Sequence, residues 1–323
     1  MQRREFIALV GGAAAWPVGL RAQEPGRTYR LGGLTPSPRD APHYVALFAE
    51  LGRFDFIDGH NLTIDWRGSG LRNEQFPDIA LELIKSKADV IFCAGDVAVR
   101  AAQQATATIP ICAVTDDMVG SGLVRSLARP GGNTTGVSIL ATELDGKRQD
   151  ILIDAVPGLR RMVALADNTT NTPRQLQALK DAARARGVEL LIHRVAKPEE
   201  LMPAIDAAKS SESAALNVLS SPFLFAYRRV IIERTAVLRL PAMYQWAEMA
   251  EEGGLIAYGP RIIQMFRELG SRQLIKLFRG VKPFELPVEQ PTRFELAINL
   301  QTAKALGFEI PPTLLARADQ VIE

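Results

Sequence analysis

The feature that most constrains the fold of this chain is an alternation of short apolar runs with amphipathic segments. Residues 29–34, 62–66, 90–93 and 109–114 are strand-like, and a segment with helical periodicity follows each run. Short apolar strands between helices are typical of parallel sheets that are covered on both faces. The pattern therefore predicts an α/β fold, in which ligands bind at the loops that follow the strands.

A cluster of chain breakers at residues 129–133, Arg-Pro-Gly-Gly-Asn, divides this pattern into two series of similar length. A helix is predicted over residues 120–128, and the alternation restarts with a strand over residues 162–166. Further helices are predicted over residues 223–238 and 261–279. Because 323 residues are too many for one compact core, the two series predict two similar lobes.

The charge of the chain argues against one broad class of partner. The sequence has 38 Lys and Arg and 36 Asp and Glu, a formal net charge of +2, with no basic stripe or single-sign tail. Proteins that bind nucleic acid usually carry a basic face, so no nucleic-acid partner is predicted.

The first residues are typical of an export signal. Basic residues 3–4 precede an apolar stretch over residues 6–20, which is short for a membrane span. Cleavage after Ala22 is expected, so residues 1–22 are predicted to be removed from an exported, periplasmic protein that is soluble once cut. Residues 3–7 also resemble a twin-arginine signal, and both Sec and twin-arginine export stay open.

The two cysteines, Cys93 and Cys112, lie in neighbouring apolar runs. An oxidising compartment would permit a disulfide between them. They can instead be two buried thiols that act as small apolar side chains. The sequence favours this second interpretation because it does not fix the geometry that a bond needs.

An enzyme is the less favoured interpretation. Residues 32–33 are Gly-Gly after the first strand, but no G-x-G-x-x-G follows, and Pro36 removes a backbone donor from that loop. The histidines His43, His60 and His193 lie in no catalytic motif, and His43 is expected at a solvated helix start. No catalytic residue, metal site or cofactor is therefore predicted.

Four blocks of sequence carry a family resemblance. Residues 287–296 read Pro-Val-Glu-Gln-Pro-Thr-Arg-Phe-Glu-Leu, and the similarity continues through residues 299–319. Residues 127–136 and 253–260 agree with it. The chain closely resembles the ABC transporter substrate-binding proteins of the tryptophan/tyrosine-binding type, over essentially its whole length.

The resemblance implies a type I periplasmic-binding fold, in which two Rossmann-like lobes with parallel sheets close on a small molecule. Lobe 1 is expected to comprise residues 28–143 and 259–288, and lobe 2 residues 144–258 and 289–323. The implied function is capture of a small molecule, such as an aromatic amino acid or a related compound, by a monomer that delivers it to the membrane permease of an ABC importer. A ligand-sensing regulator on the same fold is the alternative, although it normally carries a DNA-binding headpiece.

The ligand loops of the family can be transferred to this chain by position. They follow the first, third and fourth strands of the first lobe and three strands of the second. The residues that the resemblance assigns to ligand binding are Thr35, Pro36, Ser37, Gly95, Asp96, Val97, Asp117, Asn168, Thr170, Ser220, Phe223, Tyr244 and Trp246.

Asp96 departs from the family. Residues 94–97 are Ala-Gly-Asp-Val, where the family usually has Ser-Gly-Thr-Pro. An ionised Asp96 at a helix N-terminus would compete with a ligand carboxylate for the helix dipole, or would serve as an ordinary helix cap.

Two further side-chain roles are open. Asp117 can accept a ligand amino group or cap a helix that starts near Gly120. Phe223 and Trp246 can enclose an aromatic ligand or pack within the protein.

Overall fold

The computed structural model describes residues 26–67, 73–211 and 214–323, so the predicted export signal lies outside the described residues. Within these ranges the chain forms two sheets, of five and seven strands, flanked by helices. No helix in the described ranges is long and apolar enough to cross a membrane.

The first sheet is built by the first series of the sequence pattern. Its five strands are all parallel and are ordered β2-β1-β3-β4-β5. The strands are β1 (Tyr29–Leu34), β2 (Leu62–Arg67), β3 (Val90–Ala94), β4 (Ile111–Thr115) and β5 (Thr134–Ser138), and the helices between them are α1 (Pro42–Arg53), α2 (Phe76–Lys85) and α3 (Asp96–Ala105).

The chain enters the second sheet through α4 (Ala141–Ala155), a helix that the sequence pattern does not predict. The elements up to the next crossing are β6 (Arg161–Asp167), α5 (Pro173–Ala185), β7 (Glu189–Val195), α6 (Pro198–Ser210), β8 (Leu216–Val218), α7 (Pro222–Ala226), α8 (Arg228–Val237), β9 (Ala242–Tyr244), α9 (Ala247–Glu251) and β10 (Ile256–Gly259). The predicted helix over residues 223–238 is thus two helices that meet at Tyr227.

After β10 the chain returns to the first sheet. It forms α10 (Ile262–Met265), a π-helical turn (Phe266–Gly270) and α11 (Ser271–Phe278), where one continuous helix is predicted. Phe266 packs on α1, with its ring centroid 5.4 Å from that of Tyr44.

The last elements belong to the second sheet. They are β11 (Glu295–Asn299), α12 (Leu300–Leu306), α13 (Pro312–Leu315) and β12 (Gln320–Ile322), and the strand order is β12-β11-β10-β9-β8-β6-β7. The strand β11 runs antiparallel to β10, so the sheet is mostly rather than wholly parallel. The α/β class with two sheets is confirmed, whereas the lobe boundaries at single residues stay a prediction.

One predicted helix is wrong. Residues 120–128 form turns and bends, and no helix lies between β4 and β5. The Asp117 carboxylate accepts a hydrogen bond from the Gly120 amide at 2.8 Å, and Gly122 has a left-handed φ of 68°. These local turns satisfy the backbone groups that a helix would otherwise pair.

The two cysteines are free and buried. In the register of β3 and β4, Cys112 lies opposite Phe92, the residue before Cys93. Since side chains alternate along a strand, the two thiols point to opposite faces of the sheet. The interpretation as two buried thiols is confirmed.

The change Gly136→Ala in β5 should destabilise the first sheet by about 3 kcal/mol. Gly136 has a φ of 140°, and a Cβ there would lie 1.9 Å from the carbonyl oxygen of Ala113 on β4. Urea unfolding measures the loss, and Gly132→Ala is the matched control because a Cβ at Gly132 meets no atom within 4 Å. An unchanged unfolding free energy for Gly136→Ala would contradict this close approach of the strands.

Candidate functional site

The loops at the carboxyl ends of the two sheets meet along one boundary between the sheets, here termed the cleft. A Cβ on Gly95, after β3, would lie 3.0 Å from Pro222 Cγ, after β8. The ring of His43 on α1 lies 5.7 Å from that of Phe225 on α7. The strand ends where ligands bind in open α/β sheets therefore meet in one place.

A buried ion pair organises the second-sheet side of this cleft. Arg148 and Asp145 lie one turn apart on α4, both side chains are fully buried, and Arg148 Nη1 donates to Asp145 Oδ1 at 2.8 Å. Arg148 also donates to Ser220 Oγ at 2.7 Å and to the carbonyl oxygens of Gln245 at 3.0 Å and Tyr258 at 2.7 Å. One guanidinium thus joins the ends of β8, β9 and β10 to α4.

The two charges of this pair depend on each other. Burial raises the pKa of Asp145, and the Arg148 guanidinium partly offsets the increase. Burial lowers the pKa of Arg148, and Asp145 opposes that decrease. Asp145 also accepts from the Ser220 amide at 3.1 Å and from Gln175 Nε2 at 2.8 Å, so its carboxylate is well supplied with donors.

Asp167, at the end of β6, holds a second loop of the cleft. Its Oδ2 accepts from Thr170 Oγ1 at 2.8 Å and from Ser221 Oγ at 2.7 Å. Its Oδ1 accepts from the Thr169 amide and hydroxyl, both at 2.9 Å. These hydroxyls are oriented by the protein itself, and the predicted ligand residue Thr170 is among them.

Asp116, which directly follows β4, is different from these carboxylates. It has no hydrogen bond to its side chain from any described residue. Its burial and the nearby charges of Asp96 and Asp145 raise the pKa of Asp116 well above its usual value, and Arg148 only partly opposes them. An unpartnered carboxylate in a protein cleft is costly until a donor reaches it. The sequence analysis selected its neighbour Asp117, and that assignment stays a prediction.

Asp96 is the first residue of α3, and Gly95 before it has a φ of 88°. Burial raises the pKa of Asp96, while the Ser121 side chain and Arg100 partly oppose the increase. The Asp96 carboxylate also contributes to the field at Asp116. Val97, also predicted at the site, is half-buried against the apolar cluster between the first sheet and its helices.

The loop after β1 is stabilised by a hydrogen bond between two of its own residues. Thr35 is fully buried and its hydroxyl donates to the Ser37 carbonyl oxygen at 2.9 Å. Ser37 is buried and Pro36 between them is half-buried.

Two predicted site residues make local contacts. The half-buried Asp117 closes the turn at Gly120. Asn168 is exposed, and its Oδ1 accepts a hydrogen bond from Arg194 Nε.

The predicted aromatic residues do not share one stack. The ring of Phe223 lies 5.1 Å from that of Tyr227, whereas Trp246 packs edge-on at 6.1 Å from Phe225. Tyr244 is buried in the core, and its hydroxyl lies 2.7 Å from Thr235 Oγ1. Trp246 is 6% exposed, and its Nε1 has no hydrogen-bond partner among the described residues.

His43 is buried rather than solvated, so the sequence expectation for this residue is wrong. It lies between Phe266 of the first-sheet side, at 4.8 Å, and Phe225 of the other side. Burial, with a smaller effect from the positive charge of Arg228, lowers the pKa of His43 to about 3.

Acid should therefore weaken the packing around His43. The unfolded chain binds a proton at His43 below its ordinary pKa of 6.5, whereas the folded chain does so only near 3. The unfolding free energy should fall by about 1.4 kcal/mol per pH unit below 6.5 from this group. Melting curves between pH 7.5 and pH 5 test this, because His43→Phe should retain more of its stability at pH 5 than the wild type. The exposed His60 supplies a control in His60→Gln, and parallel curves for His43→Phe and wild type would contradict the assignment.

Among the described residues, no group of three His, Cys, Asp or Glu side chains is placed to hold a metal ion.

Two sheets whose strand ends face each other across a polar cleft define a two-lobed protein of the kind that binds small molecules between its lobes. A family model described as "ABC transporter substrate binding protein" matches residues 47–322. The chain belongs to this family.

Three known proteins illustrate the relationship. A tyrosine-binding protein of Clostridioides difficile is 27% identical over 260 residues, which cover 79% of this chain and 73% of that protein. A crystal structure of an ABC domain in complex with L-Trp from Streptococcus pneumoniae is 22% identical, with a TM-score of 0.81 over 91% of this chain and 100% of that one. A ligand-free, open substrate-binding protein with adhesive properties from Clostridium difficile is 22% identical, with a TM-score of 0.62 over 92% of this chain and 99% of that one. The similarity to the solved structures establishes the type I periplasmic-binding fold.

Proposed function

We propose that this protein captures a small aromatic molecule with an amino group, such as an aromatic amino acid or a related amine, between its two lobes. It acts as the exported substrate-binding component of an ABC importer and passes its ligand to a membrane permease without chemical change. The observation that carries this proposal is Asp116, which directly follows β4 and whose side chain receives no hydrogen bond from any described residue.

The electrostatics of the cleft support an amino group as the bound feature. A ligand ammonium would give Asp116 the donors and the opposite charge that it lacks, and such charge-assisted hydrogen bonds are the strong ones. It would also offset the repulsion that Asp116 experiences from Asp96 and Asp145.

The apolar side chains support an aromatic body for the ligand. His43 and Phe225 come from opposite sides of the cleft, Trp246 follows β9, and Phe223 lies on α7 after β8. Aromatic faces supply large contact areas in ligand sites. The tyrosine-binding relative from Clostridioides difficile and the L-Trp complex from Streptococcus pneumoniae agree with this class of ligand.

A thermal-shift screen of aromatic amines and aromatic amino acids, followed by small-angle X-ray scattering, tests the proposal. The ligand that raises the melting temperature most should also reduce the radius of gyration, because the lobes close on it. A protein that no member of the screen stabilises, or whose scattering is identical with and without saturating ligand, would contradict capture by lobe closure.

A further inference from the structure

We infer that a basic groove on the first-sheet side of the protein, separate from the cleft, docks an acidic segment of a partner protein. The groove has a volume of about 710 Å³. Its lining includes Arg125, Ser126, Arg129, Gly131, Phe284 and Glu285, and it is termed the basic groove below. The inference concerns a surface for a protein partner and is independent of the ligand that the cleft takes.

The basic groove lies near the amino end of β5, at the edge of the first sheet opposite to the cleft. Residues 125–131 directly precede this strand, which begins at Thr134 and runs parallel to β4. The carboxyl ends of parallel strands, where the cleft lies, share the other edge of the sheet. The second wall is a short turn, Pro283–Glu285, and Leu286 after it accepts a hydrogen bond from Thr135 Oγ1 at 2.8 Å. A partner can therefore occupy the basic groove while a ligand occupies the cleft.

Local hydrogen bonds fix the shape of the arginine-bearing wall. The Ser126 hydroxyl donates to the Arg129 carbonyl oxygen and accepts from the Arg129 amide, both at 3.1 Å. The Arg125 amide donates to the Pro130 carbonyl oxygen at 2.9 Å. Gly131 has a φ of 86°, and a Cβ there would lie 3.5 Å from Arg125 Nε, so the Arg125 side chain lies directly over this glycine. A preformed loop loses little conformational freedom when a partner binds, which favours association.

The positive charge of the basic groove is not neutralised by the protein. Neither the Arg125 nor the Arg129 guanidinium has an ion pair or a hydrogen bond with any described residue. Glu285 also lines the groove, but it forms no ion pair with either arginine. Two guanidiniums and one carboxylate leave a net positive charge, and guanidiniums bind carboxylates through paired hydrogen bonds. The complementary surface of a partner is therefore acidic.

Phe284 gives the basic groove an apolar contact. Its side chain is 55% exposed, although large apolar side chains of this protein are mostly buried. Arginine and aromatic residues are enriched at the centres of protein interfaces. Small-molecule sites, in contrast, enclose most of their ligand, whereas Arg125, Arg129 and Gly131 in this lining are all exposed. The chemistry therefore favours a protein segment with carboxylates on both sides of an apolar side chain.

Fluorescence anisotropy with labelled peptides tests the inference on the intact protein. The probe is a heptapeptide of Asp and Glu residues around a central Leu, and its control replaces every acid by the corresponding amide. The acidic peptide should bind with a Kd of about 100 µM or lower at low salt, and the amide peptide at least about tenfold more weakly. Absence of binding by the acidic peptide, or equal binding by the two peptides, would overturn the inference.

A charge-reversal pair locates the peptide. Arg125→Glu with Arg129→Glu should weaken binding of the acidic peptide at least about tenfold, because both cationic partners become repelling charges. The matched control is Arg160→Glu with Arg174→Glu, which changes the net charge equally at two exposed arginines outside the lining of the groove. The control should bind within about twofold of the wild type. Equal losses in the two double variants would show attraction by net charge alone and overturn the inference.

Two single changes test the wall that the turn supplies. Phe284→Ser should weaken binding about threefold or more by removing the aromatic contact. Glu285→Gln should strengthen binding about twofold by removing a carboxylate that repels the peptide. Unchanged affinity in both variants would place the peptide elsewhere and contradict the inference.

Two further measurements separate the basic groove from the cleft and from lipid. The rise in melting temperature caused by the cleft ligand should be the same in the wild type and in Arg125→Glu with Arg129→Glu, so failure of this inference leaves the proposed function intact. Loss of that rise would contradict the independence of the two surfaces. The protein should not sediment with phosphatidylglycerol vesicles. Vesicle binding that the groove variant abolishes, without binding of the acidic peptide, would overturn the inference in favour of an anionic membrane surface.

Discussion

The Asp116→Asn variant should lose about 100-fold or more in ligand affinity, because the ligand ammonium loses the opposite charge of the carboxylate. The same change should raise the melting temperature of the ligand-free protein. Asp116 has a raised pKa in the fold, so its ionised form is disfavoured there, and the amide removes that cost at neutral pH. Calorimetry and thermal unfolding of the same preparation measure the two opposite effects.

The neighbouring carboxylate supplies the control for this prediction. Asp117→Asn removes a charge one residue away, from a side chain that closes the turn at Gly120. It should lower the stability slightly and leave the ligand affinity close to that of the wild type. Loss of affinity in Asp117→Asn with full binding by Asp116→Asn would restore the assignment made from the sequence and contradict the one made from the structure.

The Arg148→Met variant should destabilise the fold by about 3–5 kcal/mol, since it leaves the buried Asp145 without its counter-charge. It also leaves the carbonyl oxygens of Gln245 and Tyr258 without the donor that now joins them to α4. Urea unfolding at neutral pH measures the loss. In a double-mutant cycle, Asp145→Asn should cost less in the Arg148→Met background than in the wild type, because the uncompensated charge is then removed.

A surface ion pair shows what is specific to Arg148. Arg161 donates to Glu189 at 2.8 Å, but their side chains are 41% and 55% exposed. Exposed pairs contribute little, so Arg161→Met should leave the unfolding free energy nearly unchanged. Equal losses for Arg161→Met and Arg148→Met would contradict the structural role of the buried pair.

Much of the fold could be predicted because its periodicity is local. The strand over Tyr29–Leu34 begins and ends at the residues that the sequence predicts, and β2 and β3 are each one residue longer than predicted. Most other strands differ from their predictions by one or two residues. Apolar strands between amphipathic helices carry this information in their own side chains.

The helix α4 could not be found in this way. Its buried face carries Asp145, Arg148 and Gln149, so the apolar stripe that reveals a helix is interrupted. These polar residues are satisfied largely by groups distant in the sequence, such as Ser220 and the Leu179 carbonyl oxygen. The apolar periodicity that reveals a helix is therefore absent from α4, the helix that organises the second-sheet side of the site.

The sequence also does not distinguish between two neighbouring carboxylates. Asp116 and Asp117 are adjacent at the end of β4, and one closes the local turn while the other lies in the cleft. Which residue does which depends on where the strand ends, and neighbouring side chains at a strand end point in different directions. The sequence shows both aspartates, but it does not show at which residue the strand ends.

A crystal structure of the protein with the ligand that stabilises it most in the screen would test the central claim most directly. The account predicts a ligand enclosed by loops of both sheets, with its nitrogen about 2.7–3.2 Å from an Asp116 carboxylate oxygen and its ring against the aromatic side chains of the cleft. A ligand bound outside the cleft, or one whose nitrogen points away from Asp116, would contradict it.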